Sequence, residues 1–138
     1  MANTHIIKSI RIHATPLSVW RVFTDPKVSR RLGGHYLTDW KKGSSLQWKG
    51  DDGKVYTYGI ILDIEQEQIL KHNLLDKRTK SRVNSVITYR LERNADFTIL
   101  HAEEELTFSM RDDDFDDALE GWDMVMESIK DAAEKEEK

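Results

Sequence analysis

Residues 112–138 read DDDFDDALEGWDMVMESIKDAAEKEEK, and the period of that stretch decides the fold. Phe115, Leu119, Trp122, Val125, Met126, Ile129 and Ala133 recur at spacings of three and four, which places them on one side of a helical cylinder. Asp116, Asp117, Glu120, Asp123 and Glu127 take the other side. The spacing predicts one long helix whose apolar stripe requires a core and whose acidic face requires water. The run Asp112, Asp113, Asp114 is expected to open it, because carboxylates there accept from unpaired backbone N–H groups and meet the positive end of the dipole. Lys135 and Lys138 suit the opposite end. Gly121 inside a helix costs roughly 1 kcal/mol relative to Ala, which suggests a close backbone approach beside Trp122. A lone helix cannot bury such a stripe, so the preceding residues must supply the opposing surface.

Moving toward the N-terminus, residues 35–108 alternate with the period of β-strands. The strand predicted over 97–110 puts Leu100, Ala102, Glu104, Leu106 and Phe108 on one face and Ile99, His101, Glu103 and Glu105 on the other. Residues 83–92 present Val83, Ile87, Tyr89 and Leu91 together, and residues 68–75 present Leu70, His72 and Leu74. Over 54–65, Tyr56, Tyr58, Ile60, Leu62 and Ile64 are expected on one face, opposite Val55, Thr57, Gly59, Ile61 and Asp63. Shorter strands over 35–40 and 45–49 are separated by turn residues Lys42 and Gly43, and residues 50–53 turn again. At the start of the chain Ile6, Lys8, Ile10 and Ile12 make one face of a strand. Thr15 then caps a helix with Pro16 at its first position, and Val19, Trp20, Val22 and Phe23 form its apolar side. Asp25 and Pro26 interrupt it, and a second short helix over 27–32 ends at Gly33 and Gly34.

The order is strand, two short helices, about six more strands, long helix. Successive strands imply hairpins, so the expected fold class is α+β, with a strongly bent antiparallel sheet of about seven strands wrapped around the terminal helix. At 138 residues the chain is expected to form one domain over 1–138, large enough to need no staple. With no cysteine it has neither disulfides nor thiolate metal sites. No apolar run approaches the roughly 20 residues of a membrane span, and the opening MANTHIIKSI lacks a signal-peptide pattern, so a cytoplasmic protein without a membrane partner is expected. The net charge of −4 divides unevenly: residues 112–138 hold twelve acids and three bases, while residues 1–111 hold thirteen acids and eighteen bases. The acidic helix is therefore either a solvated face or a docking surface for a protein partner. Nucleic acid is disfavoured, because the bases are dispersed and the one cluster, residues 77–82, lies in a turn.

Three stretches carry a resemblance: IRIHATPLSVWRVFTD at 10–25, WKKGSSLQWKGDDGKVYTYG at 40–59, and Gly121 with Trp122. In this order and spacing the chain resembles the helix-grip (START, SRPBCC) superfamily of lipid-transfer domains and birch-pollen-allergen-like proteins. Within it, the chain is similar to the branch typified by the C-terminal domain of the heat shock protein 90 ATPase activator. Members usually carry a Trp shortly after the first helix, where this chain has Arg31 and Leu32. The resemblance implies a cavity between sheet and terminal helix that holds apolar ligands in some members. A stress-response role follows from the family's naming only.

Candidates to line such a cavity are Trp20, Phe23, Tyr36, Trp40, Trp48, Tyr58, Tyr89, Phe108, Trp122 and Met126, which would equally suit a plain core. Glu104 and His72 are expected on the apolar face, where a polar group could orient a ligand or act as a base. His5, His13, His35, His72 and His101 lack metal-ligand spacing, and nucleophile-elbow, P-loop and dinucleotide motifs are absent, so no metal, cofactor or catalytic residue is assigned. The leading expectation is a non-enzymatic domain that binds a small hydrophobic or aromatic molecule. The alternatives are a co-chaperone-like interaction module and a cyclase- or hydratase-like enzyme.

Overall fold

A computed structural model describes residues 3–137. Seven strands form one antiparallel sheet: β1 (His5–Ile12), β2 (Gly34–Leu37), β3 (Ser45–Gly50), β4 (Val55–Glu65), β5 (Ile69–Leu75), β6 (Val83–Arg93) and β7 (Thr98–Leu106). Their order across the sheet is β1-β7-β6-β5-β4-β3-β2, so every neighbour except β1 with β7 is joined by a hairpin. Helix α1 (Pro16–Thr24) and the single turn α2 (Pro26–Ser29) follow β1, and α3 (Asp112–Glu136) closes the chain. This is the expected helix-grip arrangement.

The local signals act as read, with one change. Thr15 accepts from the Ser18 N–H at 3.2 Å with Pro16 beginning α1, and Asp25 caps α2 by accepting from Lys27 N–H at 3.0 Å. Gly33 ends the following turn at φ +92°, a conformation that L side chains rarely adopt. At α3 the cap residue is Arg111, and no side chain makes a cap hydrogen bond. The three aspartates occupy the first helical turn instead, so they act through the dipole rather than as a cap. Lys138, expected at the far end, lies outside the described residues.

Cross-strand register aligns the concave face in rows. One row runs Ile6, Glu104, Ile87, His72 and Ile61; its neighbour contains Ala102, Tyr89 and Leu70. The expected alternation fails on β4, where the ladder with β5 shifts between Ile61 and Asp63. Ile61 pairs with His72 and Ile64 with Leu70, so the inward parity changes from odd to even across the bulge. Tyr56, Tyr58 and Ile60 therefore face outward rather than sharing a face with Ile64. Gly59 on this strand is compelled by contact, since a Cβ there would stand 2.2 Å from the Asn73 carbonyl oxygen.

Helix α3 lies close against β1 and α1 and keeps its backbone away from the middle of the sheet. Trp122, Met126, Ile129, Ala132 and Ala133 bury in a cluster with Ile12, Val19, Val22, Phe23 and Leu100. Polar ties fix both ends. Asn3 Nδ2 donates to the Met110 carbonyl at 2.9 Å and to Asp112 at 2.8 Å. At the C-terminal end Glu134 accepts from the His13 backbone N–H at 2.8 Å, Glu137 accepts from the Ser18 hydroxyl, and Arg31 donates to the Ala132 carbonyl and to Glu136. No described helix is long and apolar enough to cross a membrane.

Candidate functional site

Where α3 stands away from the sheet, a cavity of about 520 Å³ remains. Its walls come from five regions. Phe23 closes it from α1, and Leu32 from the turn after α2. Tyr36 and Trp48 line it from β2 and β3, and Thr57, His72, Leu74, Ile87 and Tyr89 from β4 to β6. Gly121, Met124, Val125, Ser128 and Ile129 complete it from α3. Met124 is 72% exposed and Val125 42%, so this side of the helix is the mouth.

Five of the twelve expected residues meet here: Phe23, Tyr36, Trp48, His72 and Tyr89. Their rings form a connected wall, with Tyr36 edge-on to Trp48 at 4.9 Å, His72 at 6.2 Å from Tyr36 and 6.4 Å from Tyr89, and Phe23 at 4.7 Å from Tyr89. The other seven stand elsewhere. Trp20 and Met126 are sealed in the core. Trp40 packs edge-on behind Tyr36 at 5.7 Å. Tyr58 is on the outer face beneath the Lys80 ammonium, which sits 4.5 Å from its ring, because of the β4 parity. Phe108 lies beyond the end of β7 and is exposed.

Trp122 and Glu104 are partners rather than cavity wall. The indole N–H donates to Glu104 Oε1 at 2.8 Å, and the Ser85 hydroxyl donates to Oε2 at 2.7 Å. Glu104 thus faces inward as its parity implies, with both oxygens occupied in holding the helix to the sheet.

The residues not anticipated are chiefly on α3. Gly121, Met124, Val125 and Ser128 are spaced i, i+3, i+4, i+7 and form a second stripe beside the buried one. The sequence offered that spacing, but a stripe containing Gly and Ser resembles a solvated face. Val125 was expected in the core and is at the rim. Gly121 was expected to permit a close approach, yet nothing lies within 4 Å of where its Cβ would be. Its bare backbone is part of the opening.

His72 is the polar centre of the wall. It is 2% exposed, and its Nδ1 lies 3.0 Å from the Asn73 carbonyl oxygen. A carbonyl only accepts, so Nδ1 carries the proton, and Nε2 has no hydrogen-bond partner among the described residues. Burial lowers the pKa of the ring, opposed by the Asn73 hydrogen bond and the Glu104 charge. Burial likewise pushes Tyr36 up to about 12 and Tyr89 well above the ordinary phenol value, so both remain protonated. The cavity wall contains no Asp, Glu, Lys or Arg.

The family model for Activator of Hsp90 ATPase homolog 1-like protein matches residues 13–134. The chain belongs to this family. No curated protein sequence matches it. Among solved structures, CalU16 from Micromonospora echinospora is 23% identical, with a TM-score of 0.74 over 96% of this chain and 77% of that one. The Aha1 dimer from Colwellia psychrerythraea is 17% identical, with a TM-score of 0.76 over 94% and 96%. DynU16, from the dynemicin biosynthetic locus, is 15% identical, with a TM-score of 0.76 over 92% of this chain and 46% of that one. At these identities the likeness is one of fold.

Arg31 and Leu32 bear on the cavity directly. Arg31 turns outward to clamp α3, and Leu32 borders the hollow with a smaller side chain than an indole. On the opposite, outer face of the sheet, His5, Glu103 and Glu105 bring potential ligand atoms within 4.8 Å of one another, and His5 already bonds Glu103 at 3.0 Å.

Proposed function

We propose that this member of the activator-homologue family is a small-molecule binding domain that holds a hydrophobic or aromatic ligand between the sheet and α3. The observation that carries this reading is the cavity of about 520 Å³, walled by aromatic rings and opening beside Met124 and Val125. Pockets of this size, largely apolar with a few convergent polar atoms, suit a ligand of two to four fused rings. Burial of an apolar ring surface supplies affinity at about 25 cal/mol per Å² before association costs.

The test uses a neutral fluorophore, N-phenyl-1-naphthylamine. Saturable binding at one molecule per chain is expected, lost in Gly121→Leu, whose side chain enters the mouth on an exposed helical position. Native mass spectrometry beside the denatured mass shows whether a molecule copurifies. Absence of saturable binding to the wild-type protein would remove the proposal.

A second reading is favoured by a separate observation. Asp113, Asp114, Asp116, Asp117, Glu120 and Glu127 are exposed on α3 and make no ion pair among the described residues. Such a face suits a basic protein surface, as in a co-chaperone-like module, and that association would weaken steeply with added salt.

A further inference from the structure

The proposed binding site contains one atom that the protein itself leaves unsatisfied. His72 Nε2 is buried, carries a lone pair and has no partner among the described residues. An unpaired buried polar atom is unfavourable, and native proteins retain few of them, at strained or catalytic positions or where a bound water or ligand group completes them. Its environment restricts what that group is. The Nδ1 proton is committed to the Asn73 carbonyl, whose place against β4 requires the absence of a side chain at Gly59. The ring is therefore held in the tautomer that makes Nε2 an acceptor.

The surroundings restrict the rest of the molecule. No cationic side chain borders the cavity to neutralise an anion, and no carboxylate borders it to receive an ammonium. Glu104, the nearest acid acting on His72, is already held by Trp122 and Ser85. The hydroxyls of Tyr36 and Tyr89 also have no protein partner among the described residues and flank the imidazole, with ring centroids 6.2 and 6.4 Å from it. Either hydroxyl can donate to an oxygen whose own proton goes to Nε2.

We propose that the cavity selects a neutral ring compound bearing a hydroxyl group, with that O–H donated to His72 Nε2 and its oxygen lone pairs open to Tyr36 or Tyr89. The inference rests on the small-molecule reading above and adds to it the chemical class of the ligand. The ligand's rings lie against Phe23 and Trp48, and its single hydroxyl points to the sheet.

Calorimetric titration with four bicyclic probes of similar size tests this near neutral pH: naphthalene, 2-naphthol, 2-methoxynaphthalene and 2-naphthoate. 2-Naphthol is expected to bind about tenfold or more tightly than naphthalene and 2-methoxynaphthalene, because only it fills the acceptor. In His72→Leu that preference should fall to within about twofold, while naphthalene still binds. Long-range proton–nitrogen NMR of the wild-type protein gives a readout that does not depend on the variant folding. The Nε2 resonance of His72 should move upfield on adding 2-naphthol and stay in place with naphthalene. Equal binding of naphthalene and 2-naphthol would overturn the hydroxyl inference and leave the apolar cavity standing. Preference for 2-naphthoate would overturn it by showing a protonated His72. Binding of none of the four would overturn both readings.

Discussion

At one end of the interior, Ile12, Val19, Val22, Leu100 and Ala133 are sealed against one another; at the other, Tyr36, Trp48, His72 and Tyr89 border open space. The same sheet and the same helix build both ends. What differs is α1, which fills the angle between α3 and β1 with Val19 and Val22 and reaches the hollow only through Phe23. The chain then runs through α2 to the far edge of the sheet, and the turn between them reaches the gap only through Leu32. The sealed end gives stability, and the open end leaves a hollow between helix and sheet.

Truncation separates the two ends most sharply. Leu100→Ala at the sealed end and Trp122→Ala at the boundary should each cost about 3 to 5 kcal/mol in urea denaturation. The indole is 9% exposed, and its loss also removes a donor from Glu104. A loss below about 1 kcal/mol for Leu100→Ala would mean that the sealed end is no better packed than the hollow one.

Acid should act on the open end through His72. Its folded pKa is lowered, so above the unfolded value of about 6.5 both states are neutral and the group contributes nothing adverse. As pH falls below that value the unfolded chain takes up the proton first, and stability declines at up to about 1.4 kcal/mol per pH unit until the buried ring itself protonates. The titratable groups facing it are Glu104, Tyr36 and Tyr89. His72→Leu should lack this part of the decline, read as the difference in denaturation midpoint between the two proteins from neutral to mildly acidic pH.

Two smaller effects sharpen the contrast. Gly121→Ala adds a methyl to open space on a helix and should stabilise by about 1 kcal/mol, measured by thermal or chemical unfolding. Tyr36→Phe should change stability by less than about 0.5 kcal/mol, since the hydroxyl has no protein partner to lose among the described residues. A larger loss there would show that the hydroxyl contributes to folding.

The sequence carried the fold well because its signals are local. Thr15 with Pro16, Asp25 with Pro26 and the three-and-four spacing through Trp122 each specify an element without reference to the rest of the chain. The inward parity of His72, Tyr89 and Glu104 was legible for the same reason. Tyr58 was not, because the shift between Ile61 and Asp63 is a property of two strands together and leaves no mark on β4 alone. Trp122 and Glu104 were legible as inward but not as partners, since they meet across 18 residues of chain. The stripe through Met124 and Val125 was hidden by its mixed character: a rim is half wet, and its residues read as neither core nor surface.

Because α3 is anchored at Asn3 and again at Arg31, His13 and Ser18, it behaves as a beam supported at both ends over the hollow. Lifting it would break polar ties at opposite ends of the molecule at once. On the proposed binding reading, room for a bulkier guest would come from rotamer changes at Met124 and Val125 rather than from helix motion, which would set a ceiling on guest size.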